Sequence, residues 1–339
     1  MQLYNKLSNE ERAILIKKAN EKRLTLSFYK YHRIGNVEIF RNHLFVNFDS
    51  LQVLGRIYVA KEGINSQLSI PAKKIENLKE FLDSITFLKN IRLNVGIEHN
   101  DESFLKLKIK VKDKIVADGL EPNDYDIENS GTHLNAKEFN DLLGKPETIT
   151  IDMRNHYESE IGHFKGAICP DVDTFRDSLP LINKKFKHAK ENNILMYCTG
   201  GIRCEKASSY LKQNGYKNVF QLKGGIIEYA RQVKKDGLEN KFLGKNFVFD
   251  NRLSERIGGE IIAKCHVCGE ACDNHVNCKN QACHVLFIQC KKCFKKLNGC
   301  CSNSCKDIHA LPIEVQKKRR KGCKNKSRFF NKGRLSEKV

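Results

Sequence analysis

No stretch of this 339-residue sequence is apolar enough, for long enough, to span a membrane. The opening stretch, "MQLYNKLSNEERAILIKKANEKR", is charged throughout, which argues against a signal peptide. No internal repeat is found. No G-x-G-x-x-G or other flavin fingerprint and no facial iron triad stands out, so no nucleotide cofactor is evident. Acidic residues are also in short supply. There are 40 Asp and Glu against 60 Lys and Arg, a formal net charge of +20. The expectation is a soluble, cytoplasmic protein with no membrane partner. In that compartment the 14 cysteines point to metal and thiol chemistry rather than a disulfide framework. The cationic excess favours a polyanionic partner, RNA first, although a solubilising tail or lysine drift gives the same count. Nothing in the sequence sets an oligomeric state.

What is present divides into several parts, since a chain of this length exceeds one ordinary core. Residues 1–24 read as a helix. Residues 25–116 run strand, helix, strand, strand, helix, strand, ending on the alternating "FLKLKIKVK". "AKKIENLKEFLDSI" carries Ile75, Leu78, Phe81, Leu82 and Ile85 at helical spacing, whereas "EIFRNHLFVNFDSL" is rich in β-branched and aromatic residues for a helix. That order predicts a ferredoxin-like sandwich. Glu62-Gly63-Ile64-Asn65 reads as its polar turn. Residues 117–133 form a linker, and in 134–232 strands alternate with helices, which predicts a parallel sheet covered on both faces. A connector (233–262), a Cys-rich module (263–312) and a basic tail (313–339) follow. The fold class is thus α+β and α/β multidomain.

The sharpest local signal is "NILMYCTGGIRCEKASSYL". Cys198 ends a short apolar strand, and Thr199, Gly200, Gly201, Ile202 and Arg203 lead into a helix. A thiol at the end of a parallel strand sits in the crevice where open α/β sheets place their sites. The glycines let backbone N–H groups curl around the sulfur. The helix N-terminus and Arg203 favour the thiolate, so a thiol pKa of ~8.5 should fall. The spacing is C-x4-R, shorter than the C-x5-R ring of cysteine phosphatases, and suits one extra sulfur atom. "CTGGIRCEKAS", with "IDMRNHYESEIGHFKGAI" upstream and "LKGGIIEY" downstream, resembles a rhodanese domain over about 100 residues in the right order. Asp152 and Arg154 then stabilise the fold or flank the pocket, and Gly162-His163 forms a turn. Cys204 is either a thiol that resolves an adduct on Cys198 or a small packed residue.

Ten cysteines lie between Cys265 and Cys305. Cys265-x2-Cys268 and Cys290-x2-Cys293 are the strongest pairs, because C-x2-C offers two thiolates from one turn to a tetrahedral ion. Cys278, Cys283, Cys300 and Cys305 complete the expected ligands, and His266, His275 and His284 are possible substitutes. Structural zinc is the leading reading, an iron–sulfur cluster the second. Half of the net charge lies in Gln316–Val339, with 11 Lys and Arg and one acid. There Lys317, Lys318, Arg319, Arg320, Lys321 and Arg328 are the candidate RNA contacts, beside Phe329 and Phe330 for stacking.

The order of parts carries a more specific resemblance. "GRIYVAKEGINSQLSIP", a linker ending in "GTHLNAKEFN", the rhodanese core and "CHVCGEACDNHVNCKNQACHVLFIQCKKC" together resemble the bacterial rhodanese-domain tRNA uridine(34) hydroxylase family, also called tRNA hydroxylation protein O. The resemblance spans nearly the whole chain except the basic tail. It implies oxygen-dependent formation of 5-hydroxyuridine at the tRNA wobble position, with Cys198 essential and Thr199 to Arg203 as its cradle. Two classes of chemistry at Cys198 stay open: a persulfide or peroxy-type adduct, and addition of the thiolate to the uracil ring. Sulfur transfer through a Cys198 persulfide and non-catalytic RNA binding are the alternative functions.

Overall fold

The computed structural model describes residues 7–321 together with Leu3 and Asn5. Helix α1 (Asn9–Ala19) starts at a capping box, in which Ser8 and Glu11 each accept the other's backbone N–H. The first domain then runs β1 (Arg23–Tyr31), α2 (Val37–Ser50), β2 (Leu54–Ala60), β3 (Gly63–Pro71), α3 (Ile75–Asp83), β4 (Asn94–Val95) and β5 (Leu107–Val111). Its sheet order, β4-β1-β3-β2-β5, is the ferredoxin-like arrangement with one strand added. The α2 segment is helical despite its composition. Asn36 caps it, and Leu44, Phe45 and Phe48 seat it on the sheet. The α3 stripe does the same through Leu78 and Leu82.

One expectation is corrected here. "FLKLKIKVK" does not close the β-α-β-β-α-β unit. The closing strand is the two-residue β4, antiparallel to β1, and β5 adds parallel to β2 at the opposite edge. Leu107 and Ile109 point into the core there, while Lys108 and Lys110 point to solvent.

The second domain contains β6 (Thr132–Leu134), α4 (Ala136–Leu142), β7 (Thr148–Asp152), α5 (His156–Ser159), β8 (Gly162–Phe164), α6 (Phe175–Lys185), β9 (Asn193–Tyr197), α7 (Ile202–Gln213), β10 (Asn218–Leu222) and α8 (Gly225–Asp236). Strands β6-β10-β9-β7 form one parallel sheet. One face packs Leu179 and Ile182 of α6 with Ala207 and Leu211 of α7. The other packs Phe139 of α4 with Ile226 and Tyr229 of α8. Residues beyond α8 fold back as β11 (Phe242–Phe247) and β12 (Ser254–Arg256), and β11 pairs with β8.

The Cys-rich region carries β13 (His275–Asn277), β14 (Leu286–Ile288), α9 (Lys291–Lys296) and α10 (Asn303–Ala310). Lys317, Lys318, Arg319 and Arg320 form the last turn of α11 (Ile313–Arg320), where cations suit the helix dipole, and Lys321 caps it. Arg328 lies outside the described residues. Among the described residues, no helix is long and apolar enough to cross a membrane.

Candidate active site

Strand β9 delivers Cys198 to the carboxyl edge of the sheet, and α7 begins four residues later. The turn between them depends on two glycines. Gly201 sits at φ +105°, and a Cβ there would lie 2.7 Å from the Tyr29 hydroxyl. Gly225, from the downstream Gly pair, sits at φ +67°, where a Cβ would lie 2.5 Å from the carbonyl oxygens of Cys198 and Thr199. Those carbonyls accept from the backbone N–H groups of Ile226 and Ile227, at 3.0 and 3.3 Å. The start of α8 is therefore the floor of the thiol loop.

The sulfur of Cys198 is almost fully enclosed, at 1% exposure. The Gly201 N–H donates to it at 3.1 Å. Burial alone would push the thiol pKa up. The hydrogen bond from the Cys204 thiol, the Arg203 charge and the backbone N–H groups of Arg203 and Gly201 outweigh it and bring the pKa down to about 6. Cys204 is completely buried, and burial together with the Cys198 thiolate holds its own pKa well above the ordinary thiol range. One sulfur is thus set as a thiolate against a second that keeps its proton. Alkylation of Cys198 by iodoacetamide, followed by mass spectrometry, is expected to rise with pH through a midpoint at about 6 and to level off above about 7. The thiolate reacts and the thiol does not, so a profile centred near ~8.5 would contradict this electrostatic picture.

Arg203 does not stand as a bare charge beside the sulfur. Its guanidinium makes a two-pronged ion pair with the fully buried Glu158, at 2.6 and 2.8 Å, and reaches Thr199 Oγ1 at 3.4 Å. The sequence reading did not single out Glu158. Its local signal, Asn155-x-x-Glu158, is a capping box on α5 and marks a helix start rather than a partner for Arg203. Glu158→Gln is expected to cost about 3–5 kcal/mol in a urea melt, because it leaves a buried guanidinium without its counter-charge. Asp152 and Arg154 form a second fully buried pair, which ties β7 to the Gly162 carbonyl.

The first domain closes over the loop. Tyr29 donates to Glu205 at 2.9 Å, Tyr31 to the Ile202 carbonyl at 3.1 Å, and Asn94 to the Gly200 carbonyl at 3.4 Å. Glu62, read from sequence as part of a turn, accepts from the buried Lys206 at 2.6 Å, and Asp118 of the linker is its second partner. These contacts clamp α7 between the two domains.

Between the domains lies a cleft of about 1160 Å³, and Gly200 of the thiol loop forms part of its wall. Tyr29, Tyr31, Phe87 and Tyr125 supply aromatic surface. Lys30, Arg33, Lys61, Lys89, Arg92, Lys114 and Lys223 outnumber the acids Glu62, Asp113, Glu128 and Glu205. Lys317 to Lys321, the residues expected to meet RNA, are not in this wall. They lie on and beside α11, where Arg320 bonds Gln281 of the Cys-rich region.

In that region the thiols gather as two quartets, each with all sulfurs within 4.8 Å of one another. Cys265, Cys268, Cys290 and Cys293 form the first, and Cys278, Cys283, Cys301 and Cys305 the second. Each could hold a metal ion. The second quartet takes in Cys301 where Cys300 was expected. The Cys300 side chain is fully buried and turned toward the Asn298 carbonyl, whereas Cys301 and Cys305 flank the cap of α10 with their sulfurs 3.6 Å apart. His266, His275 and His284 stand outside both quartets. His266 instead bonds Glu160 at 2.8 Å and ties the module to α5.

Three domain families match parts of the chain. A UPF0176 acylphosphatase-like domain matches residues 23–115, a rhodanese-like domain 135–232 and a rhodanase C-terminal domain 243–306. The tRNA uridine(34) hydroxylase of Leptospira interrogans is 51% identical over 324 residues, covering 96% of this chain and 88% of that protein. Those of Photorhabdus laumondii (48%) and Yersinia pestis (50%) each align over 333 residues, covering 98% of this chain and 95% and 94% of theirs. With half of all positions identical along almost its entire length, the chain belongs to the tRNA uridine(34) hydroxylase family.

Proposed function

We propose that this protein hydroxylates C5 of the wobble uridine in tRNA, with dioxygen as the source of the oxygen atom and Cys198 as the reacting thiolate. The observation that carries the reading is a buried sulfur with its pKa brought down to about 6, two residues before Gly200, which lines a cationic, aromatic-walled cleft. Cations there neutralise phosphates, and tyrosine and phenylalanine faces stack on unpaired bases, which is how single-stranded RNA is held. The thiolate adds to C6 of the uracil ring, and the addition makes C5 electron-rich toward oxygen. Thr199 to Arg203 hold the sulfur in place, and the Glu158 carboxylate fixes Arg203. Full-length relatives named as hydroxylases weigh against sulfur transfer and against a non-catalytic RNA-binding role. A tRNA substrate also fits a cytoplasmic protein.

The experiment is to incubate the purified protein with unmodified tRNA under heavy-isotope dioxygen and analyse the nucleosides by mass spectrometry. Heavy 5-hydroxyuridine is expected. The light product would assign the oxygen to water and sink the dioxygen reading.

The cleft as the tRNA site makes its own prediction. Arg92 approaches Gly224, next to the floor of the thiol loop, and Lys223 precedes it. Arg92→Glu and Lys223→Glu should each weaken tRNA binding and reduce the log–log salt slope by about 1. Salt-titrated filter binding reads this directly, and an unchanged slope would move the site elsewhere, with Lys317–Lys321 the next candidates.

The quartets fit structural zinc. Zn–S bonds of about 2.3 Å in a tetrahedron place sulfurs about 3.8 Å apart. The separations for Cys268–Cys290, Cys283–Cys301 and Cys301–Cys305 are 3.7, 3.7 and 3.6 Å.

A further inference from the structure

A single reacting thiolate leaves Cys204 unused, yet both cysteines are buried in one cluster, with Cys204 in the first turn of the helix that the Cys198 loop leads into. The chemistry of the proposed reaction asks for what this pair contains. Dioxygen has two oxygen atoms, and only one enters the ring. Reducing the other to water takes two electrons and two protons beyond those supplied at C5. A thiolate and a thiol closing to a disulfide release the two electrons and one of the protons, and solvent supplies the other.

We propose that Cys198 and Cys204 are the two-electron donor of the hydroxylation, closing to a disulfide in each turnover. The proposal rests on the hydroxylase reading above. In the net step the uracil C5–H becomes C5–OH, and the O–O bond breaks. The C6–S bond breaks as the aromatic C5=C6 bond is restored, which frees the Cys198 sulfur. The second oxygen leaves as water with the Cys204 proton and one proton from solvent, and an S–S bond forms between the two cysteines. The uracil carbon and the two sulfurs are oxidised, and dioxygen is reduced. An external dithiol then exchanges with the disulfide, returning both thiols and leaving itself oxidised.

The placement of the pair supports this role. Cys198 ends β9 and Cys204 lies in the first turn of α7, so closing the bond spans only the thiol loop. Gly200 and Gly201, the latter already at positive φ, give that loop backbone freedom. The α7 clamp through Lys206, Glu62 and Asp118 holds Cys204 in register with the loop.

The test is a turnover count. Reduced enzyme is freed of small thiols under inert gas, then mixed in air with excess unmodified tRNA. 5-Hydroxyuridine is counted by nucleoside mass spectrometry, and the disulfide by alkylation and peptide mass. Product should stop at about one 5-hydroxyuridine per chain, with the Cys198–Cys204 disulfide formed in equal amount, and dithiothreitol should restart it. Cys204→Ser, checked for folding and tRNA binding, should make no product without added thiol. Should that variant fail to fold, the wild-type count decides alone. Many turnovers by thiol-free wild type with both cysteines still reduced would overturn the proposal and leave the hydroxylase reading standing. Cys204→Ser matching the wild type would do the same. No product from wild type even with dithiothreitol would overturn both.

Discussion

Purified Cys198→Ser protein should form no detectable 5-hydroxyuridine, a loss of at least about 10³-fold in turnover relative to wild type. The expectation follows from what the loop does to its first residue. Hydrogen bonds from Gly201, Arg203 and Cys204 and the Arg203 charge draw a thiol pKa down to about 6. The same groups cannot ionise a serine hydroxyl near neutral pH, so the variant keeps the cradle and loses the nucleophile. Binding should survive, because Cys198 is not in the cleft wall and its replacement removes no cation. Filter binding should therefore give wild-type affinity beside the lost turnover. Retained hydroxylation would show that the oxygen chemistry runs without this sulfur.

The second large effect concerns the thiol quartets. Two zinc ions per chain are expected from elemental analysis, and their removal by a strong chelator should unfold the region from Cys265 to Cys305. Its buried cores consist largely of cysteines, with Leu286, Phe287 and Ile288 among the few bulky apolar side chains. Burial on that scale does not hold a fold of this size, so bound ions are expected to supply the remainder. Structural zinc contributes about 10–16 kcal/mol of apparent binding energy in small domains, well above a typical domain's whole stability. Cys290→Ser should lose one ion and expose amides of both β14 and α9, because it removes one of the four thiolates of the quartet that joins Cys265 and Cys268 to these two elements. Hydrogen exchange with mass spectrometry resolves this from the parallel sheet, which should stay protected. A metal-free protein with an unaltered exchange pattern would contradict a structural role.

The thiol loop was the most legible part of the sequence because its chemistry is local. A buried strand, a cysteine, two glycines and an arginine within a few residues already specify an anion cradle. The α3 stripe was legible for the same reason. What escaped depends on contacts distant in sequence. Glu158 meets Arg203 across 45 residues, and Lys206 meets Glu62 across 144. No spacing rule announces either pair. Helix α6 was not foreseen as an element; it contains Pro180, which removes one backbone donor, and four buried side chains hold it in place despite the break. The β4 strand is too short to carry an alternating pattern. Cys300 and Cys301 are neighbours, and the turn into α10, rather than their spacing, decides which one joins a quartet. The cleft could not be read at all, since its cations come from five separate segments across two domains.

The most direct measurement is nucleoside mass spectrometry of tRNA from cells lacking this chain and from the same cells complemented with it. Hydroxylation of the wobble uridine predicts that 5-hydroxyuridine disappears on deletion, returns with the wild-type chain and stays absent with Cys198→Ser. An unchanged nucleoside profile across the three strains would contradict it.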